Sequence, residues 1–194
     1  MLILASKSAS RQAMLTAAGV TFEAMPADID ERAVEARLAG AAAPVVAVSL
    51  AEAKALAVSA QRPGALVLGS DSLVVVDERR FDKPANRADA AAHLRYFSGR
   101  TMELYSGAVL ARDGSIVSRT VDCARLSVRD LSDAFIEAYL AAEWPEVASC
   151  VGVFRIEAIG PQLFSAIEGD QFTVLGMPLL AVLAALREEG VMLA

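Results

Sequence analysis

Histidine is nearly missing from this chain: 194 residues hold one, His93, set in an Ala-rich helical stretch. Chemistry built on a histidine base therefore has one candidate in a poor setting, and the Ser-His-Asp and HExxH classes are almost closed. Cysteine is equally scarce. Cys123 and Cys150 are too few and too far apart for a zinc ribbon or a disulfide framework, and both read as core thiols. A basic surplus is also lacking, since 18 Lys+Arg face 24 Asp+Glu for a net charge of −6. Phosphate neutralisation supplies much of the affinity of a nucleic-acid binder, so no nucleic-acid partner is expected. A small phosphate ligand stays open, because it needs only a few basic side chains and some aimed backbone N–H groups. No apolar run reaches the ~18 residues of a spanning helix, so no membrane partner is expected. The start, MLILASKSASR, has neither a basic n-region nor a full apolar h-region, and the expected location is the cytoplasm. What remains is carboxylate, lysine, arginine and metal chemistry.

What is present is a chain that is 55% hydrophobic, mostly Ala, Val and Leu interspersed with charges. That composition excludes a disordered polymer, and the length suits one domain, or two intimately joined lobes. No Pro/Ser-rich linker, charge block or tandem repeat interrupts it. Leu2–Ala5 reads as a buried strand, followed by the turn Ser6–Ser10 and a helix ending near Gly19. Val20–Met25 reads as a strand, and the acidic stretch Asp28–Glu31 precedes helices over Arg32–Leu38 and Val45–Ser59. Ala65–Ser70 and Leu73–Val76 are β-rich, and Asp77–Arg80 turns the chain. A helix over Arg87–Phe97 leads to a long hairpin of Met102–Ala111 and Ser115–Val128 around Asp113-Gly114. Ser132 caps a helix to about Glu143, short strands follow at Gly152–Glu157, Gln162–Ile167 and Phe172–Leu175, and Pro178 opens a last helix that stops at Gly190. Strands and helices alternate around a hairpin, which predicts an α/β fold with a mixed, twisted sheet flanked by helices.

Several segments carry polar groups where such folds bind ligands. Ser6, Ser8 and Ser10 lie where a strand meets a helix N-terminus, with Arg11 beside them. The commoner use of such serines is plain N-capping. Gly69-Ser70-Asp71-Ser72 ends an apolar strand, which would place a carboxylate at the sheet edge; a turn aspartate is the bland alternative. Glu31, after Asp30, is a second carboxylate suited to a divalent metal, or simply a solvated helix start. Taken singly, Lys54 and Lys83-Pro84 look like surface lysines. The run from Gly160 to Leu179, with Gly169, Gly176 and Pro178, builds a further cradle of loop, strand and helix start.

The order of these segments is more specific than any one of them. Leu4-Ala5-Ser6-x-Ser8, Glu31, Lys54-Ala55, Gly69-Ser70-Asp71, Lys83-Pro84, Ser98-Gly99 and Val174-Leu175-Gly176-Met177-Pro178-Leu179 together resemble the Maf family, over nearly the whole chain. Maf proteins are nucleoside triphosphate pyrophosphatases, first known as septum-formation inhibitors. The resemblance implies a Maf-like fold, with 1–194 as a single domain of two lobes around one central nucleotide-binding cleft. It further implies cleavage of the α–β phosphoanhydride to a monophosphate and pyrophosphate, with Mg²⁺ or Mn²⁺. It places Asp71 as the catalytic, water-orienting acid and Glu31 as its partner, both also metal ligands. Ser6, Ser8, Arg11, Lys54 and Lys83 match the phosphate-binding positions. Positioning and charge stabilisation are most of what such a reaction asks of a protein, and no histidine is required. Family members can form homodimers, which the Ala-rich composition permits.

The departures matter for specificity. The family usually has Ser-Pro-Arg-Arg after its first serine, where this chain has Ser8-Ala9-Ser10-Arg11. Its AlaGly, its GlyLeuPro and a common histidine after SerGly are here Val151-Gly152, Gly176-Met177-Pro178 and Met102. Three positions separate the family's base preferences, and they fall on Ser10, Ser72 and Glu157. The dTTP/UTP subgroup carries Arg, Thr and Gln there, and the 7-methyl-GTP subgroup Trp, Gln and Glu. Glu157 matches the second subgroup, because a carboxylate accepts from the N1–H and 2-amino edge of guanine. Ser10 fits neither, and Ser72 resembles Thr only loosely. The expected substrate is thus 7-methyl-GTP or another modified purine nucleotide, with dTTP/UTP as the alternative. From a different class, the rival is a nucleotide-binding division-control protein without turnover. Two retained carboxylates argue against it, since binding alone needs cations. A generic Rossmann-like binder lacks its GxGxxG after the first strand.

Overall fold

The structure is a computed structural model that describes residues 1–193. In chain order its elements are β1 (Leu2–Leu4), α1 (Ala9–Ala17), β2 (Phe22–Ala24), α2 (Glu31–Arg37), α3 (Ala43–Ser59), β3 (Leu66–Val76), β4 (Arg79–Phe81), α4 (Arg87–Phe97), β5 (Thr101–Arg112), β6 (Ser115–Val128), α5 (Asp133–Glu143), β7 (Phe164–Glu168), α6 (Gln171–Val174) and α7 (Leu179–Glu188). The fold is mixed α/β. The chain divides into two compact units, one made of Met1–Ser72, Tyr105–Asp122 and the described chain from Gln171 onward, the other of Leu73–Leu104 and Cys123–Asp170. Each is described separately.

In the first unit the strands run in the order β2-β1-β3-β5-β6. Leu2, Ile3 and Leu4 pair in parallel with Phe22–Ala24 on one side and Leu66–Leu68 on the other. With neighbours on both edges and helices on both faces, β1 is apolar at every position, as expected of a buried parallel strand. One face packs Leu2, Leu4, Leu66 and Leu68 against Met14 and Leu15 of α1 and Leu179, Val182 and Leu186 of α7. The other packs Ile3, Ala5 and Val67 against Ala51, Ala55 and Val58 of α3.

Helix α3 lies unusually close to the strands, and the residue types explain it. Ala47, Ala51 and Ala55 recur every fourth position and are fully buried, which gives α3 a thin seam. A Cβ added at Gly69 of β3 would stand 2.1 Å from the Ala51 carbonyl oxygen, and one at Gly107 of β5 would stand 2.9 Å from that of Ala47. Alanine on the helix and glycine on the strands therefore set the approach together.

In the second unit β4 turns back antiparallel on the end of β3 through Asp77-Glu78, both with positive φ, and β7 pairs antiparallel with β6. Asn86 caps α4 by accepting from Asp89 N–H at 2.9 Å, and Ser132 caps α5 by accepting from Phe135 N–H at 3.2 Å. His93 packs edge-on to Phe81, its Nδ1 is buried without a hydrogen-bond partner, and its burial lowers the pKa. It is a core histidine.

Five expectations need correction. Ala65–Ser70 and Leu73–Val76 are one strand, β3, so Asp71 is inside a strand and not at its end. Gly152–Glu157 is not a strand. Val153 has φ of 56°, the Tyr139 hydroxyl donates to its carbonyl at 3.0 Å, and Gly160 packs on the Arg155 backbone, so the segment closes into turns. Within Gln162–Ile167 the first two residues belong to a 3₁₀ turn, and the strand is Phe164–Glu168. Phe172–Leu175, β-rich by residue type, is mostly the short helix α6, because Leu175 and Gly176 N–H groups close onto Gln171 and Thr173 carbonyls and the Thr173 hydroxyl donates to Asp122. The cysteines are also not core residues: neither is in a disulfide and both are only half-buried.

Candidate active site

Strand β3 outlasts β1. The last β1 pairing is Leu4 with Leu68, the Ala5 N–H closes onto the Leu68 carbonyl at 2.8 Å, and β3 then continues through Gly69-Ser70-Asp71-Ser72. Alternate side chains of this stretch point to opposite faces. Gly69 and Asp71 share the face covered by α3, while Ser70 and Ser72 share the other.

On the first face, the close seat of α3 over Gly69 brings Lys54 beside Asp71. The Lys54 Nζ donates to Asp71 Oδ1 at 2.6 Å and pairs with Glu31 Oε1 at 3.0 Å. The side chains of Lys54 and Asp71 are each 12% exposed, and that of Glu31 is 50% exposed. Glu31 owes its place to the start of α2, where Asp30 caps the helix by accepting from Ala33 N–H at 3.0 Å. The surface lysine and the helix-start glutamate thus meet one nearly buried carboxylate.

On the second face, Arg11 of α1 donates from Nε to the Gly176 carbonyl at 2.9 Å, from Nη1 to Ser6 Oγ at 3.3 Å and from Nη2 to Ser72 Oγ at 3.0 Å. The Gly176 carbonyl also accepts from Ser72 Oγ at 2.9 Å and Ser70 Oγ at 3.3 Å. Ser72 Oγ lies 3.0 Å from Ser106 Oγ, which donates to the Thr173 carbonyl at 2.9 Å. Gly176 holds φ of 104°, a conformation that favours glycine, and its pro-Cβ direction points at Ser72 Oγ. Enclosure pushes the Arg11 guanidinium below its ordinary pKa, and the charges of Asp71 and Glu31 push it back up. The two faces are therefore joined electrostatically, two carboxylates set against two cations.

Ser8 is the N-cap of α1, its Oγ accepting from Arg11 N–H at 3.4 Å, while its own N–H donates to Ser6 Oγ at 3.1 Å. Plain capping is what the structure gives Ser8. Ser10 is half-buried on α1, in none of these contacts. Lys83 and Glu157 are exposed and belong to the second unit, where the charges of both act on the Cys150 thiol, which burial pushes up. Six of the predicted residues, Ser6, Arg11, Glu31, Lys54, Asp71 and Ser72, thus gather in the first unit, with Ser8 capping α1 beside them. The sequence reading missed Ser70, Ser106, Thr173 and Asp122. The signal for Ser70 and Ser106 was a hydroxyl inside an otherwise apolar strand, informative once both prove to be buried, while Thr173 in α6 and the Asp122 carboxylate carried no such signal.

Chemically, this is an anion-receptive arrangement with a carboxylate in it. Oxygen donors from Asp71 and Glu31 sharing one cation are the donor set that a hard divalent ion uses with phosphate oxygens, so the residues fit such an ion. Among the described residues no group of three or more His, Cys, Asp or Glu is placed to hold a metal, so phosphate and water would have to supply the other ligands. No helix of the described residues is long and apolar enough to cross a membrane.

Comparison with known proteins gives the family. The family model described as Maf-like protein matches residues 1–189. A nucleoside triphosphate pyrophosphatase of Nitrobacter winogradskyi is 48% identical over 97% of this chain and 93% of its own length. The 7-methyl-GTP pyrophosphatases of Mesorhizobium japonicum and Rhizobium etli are each 49% identical, over 97% of this chain and 96% of theirs. The chain belongs to the Maf-like family.

Proposed function

We propose that this Maf-like protein is a nucleoside triphosphate pyrophosphatase, a hydrolase that cleaves the α–β phosphoanhydride and releases a monophosphate and pyrophosphate. The observation that carries the reading is the Lys54 ammonium held 2.6 Å from Asp71 and 3.0 Å from Glu31, with Arg11 close enough to feel both carboxylates. Relatives named for this activity, near half identical over nearly the full chain, support it.

In this mechanism Asp71 orients the attacking water and accepts its proton. Its near-burial limits competing solvent, and its neighbour Lys54 supplies positive charge to the phosphates. Arg11 and the Ser6 hydroxyl add donors at the end of β1, and Ser8 holds the start of α1. Asp71 and Glu31 are the residues that would hold Mg²⁺ or Mn²⁺; such an ion, when bound, supplies polarisation of the attacked phosphate and a more acidic water. Lys83 as a further phosphate-binding lysine rests on the family resemblance alone.

For the base, we favour 7-methyl-GTP or another modified purine. Glu157, with acceptors suited to a guanine edge, supports this, while relatives with both kinds of name match equally well. Ser10 and Ser72 are the other positions to vary, Ser72 acting through Arg11 and Gly176, to which it is bonded. The protein would work on free nucleotides in the cytoplasm, as a homodimer. The test is pyrophosphate release from 7-methyl-GTP, dTTP, UTP and modified pyrimidine triphosphates with Mg²⁺ or Mn²⁺. Release from at least one, lost in Asp71→Asn, supports the reading; tight nucleotide binding without release overturns it in favour of a non-hydrolysing binder. A Glu157→Gln variant with unchanged base preference removes Glu157 from the recognition scheme.

A further inference from the structure

We propose that Lys54 is an exchangeable internal counter-ion: it closes the carboxylate pair against divalent ions until a triphosphate draws it away. The inference rests on the pyrophosphatase reading. It starts from the distances. The Lys54 Nζ lies 2.6 Å from Asp71 Oδ1 and 3.0 Å from Glu31 Oε1, so it sits in the space an ion shared by these two oxygens would take. Ammonium and divalent cation are like charges and cannot share that space. The ammonium also cancels part of the negative charge that would attract an ion. The pair is not a loose surface contact, for the side chains of Lys54 and Asp71 are each only 12% exposed.

What moves is defined by the fold. The backbone of α3 is seated on Gly69, where a Cβ would stand 2.1 Å from the Ala51 oxygen, so the helix itself has no room to approach further. The flexible four-carbon stem of Lys54 is the adjustable part. A triphosphate arriving beside Arg11 and Ser6 offers Lys54 a stronger anion than two carboxylates it must share. Once Lys54 turns to the phosphates, Asp71 and Glu31 are free for a divalent ion, whose charge then favours the phosphates in turn. Metal and nucleotide therefore bind with positive coupling, and by thermodynamic linkage each raises the affinity of the other by the same factor. The device keeps the site from holding metal when no substrate is present.

The test is Mn²⁺ binding to the full-length protein, measured by the electron paramagnetic resonance of free Mn²⁺, with no nucleotide and then with a non-hydrolysable α,β-methylene triphosphate. The wild type is expected to bind Mn²⁺ weakly alone and roughly 10-fold or more tightly with the analogue. K54M, which keeps the stem and removes the charge, is expected to bind Mn²⁺ alone roughly 10-fold more tightly than the wild type and to lose most of the coupling. K54Q serves as the second neutral variant if K54M melts early, and K54R, which keeps the charge, retains the weak binding. Neutral variants that bind Mn²⁺ no more tightly than the wild type overturn the exchange. If the wild type releases pyrophosphate in that case, the proposed function survives without it. If the wild type releases none from any nucleotide, the function fails, while the K54M comparison still decides whether Lys54 and the ion compete.

Discussion

Asp71 and Ser72 are neighbours on one strand, yet they face different surroundings. The Asp71 face holds a short charged relay, with one ammonium shared between a nearly buried carboxylate and a half-exposed one. The Ser72 face holds a lattice of mostly neutral groups around one carbonyl, in which Arg11 is the charge that meets that carbonyl and most contacts tie together segments distant in the chain. The first arrangement can change partners, because charges held by single ion pairs can be traded for a ligand's charges. The second resists change, because its donors and acceptors satisfy one another and a lost partner leaves a buried group unpaired. On the proposed mechanism, the chemistry sits on one face and its rigid support on the other, one residue apart.

The largest expected effect tests the chemical face. Asp71→Asn keeps the shape and removes the base, and should lower kcat for pyrophosphate release roughly 100- to 10,000-fold with the fold retained. Next, Gly69→Ala attacks the same face from behind. Its Cβ would stand 2.1 Å from the Ala51 oxygen, so α3 must shift and Lys54 with it. We expect a loss of about 3 kcal/mol in chemical denaturation, together with weaker metal–nucleotide coupling. Gly176→Ala attacks the supporting face. The residue holds φ of 104° and its Cβ would meet Ser72 Oγ at 3.1 Å. A stability cost of about 2 kcal/mol is expected, with a raised KM as Arg11 loses its anchor and a smaller change in kcat. The smallest effect belongs to Ser72→Ala, about 1 kcal/mol for a lost hydrogen bond in denaturant titration, with kcat nearly kept. A large kcat defect in Ser72→Ala would erase the proposed division between the faces.

Legibility followed locality. The limits of α4 and α5, the cap Ser132 and the Asp113-Gly114 hairpin are set by neighbours in sequence and stand where the pattern places them, and of the three serines open to capping α1 the structure uses Ser8. Asp71, Glu31 and Arg11 were visible as candidates from residue type and their place beside strand ends and helix starts. Lys54 was not distinguishable from a surface lysine, because its burial depends on an alanine seam in α3 meeting glycines on two strands far away in sequence. The support lattice was invisible for the same reason: Ser106, Thr173 and Asp122 carry no local pattern, and α6 forms against its own β-rich composition because tertiary bonds hold Thr173. The 152–157 segment failed as a strand because Tyr139 takes a carbonyl there that a neighbouring strand would have needed.

The most direct test of the central claim is a paired measurement of pyrophosphate release under saturating nucleotide and Mg²⁺ for Asp71→Asn and Ser72→Ala. The account predicts a kcat loss of roughly 100-fold or more for Asp71→Asn and a nearly wild-type kcat for Ser72→Ala. Equal losses in the two variants, or a wild-type rate in Asp71→Asn, would contradict it.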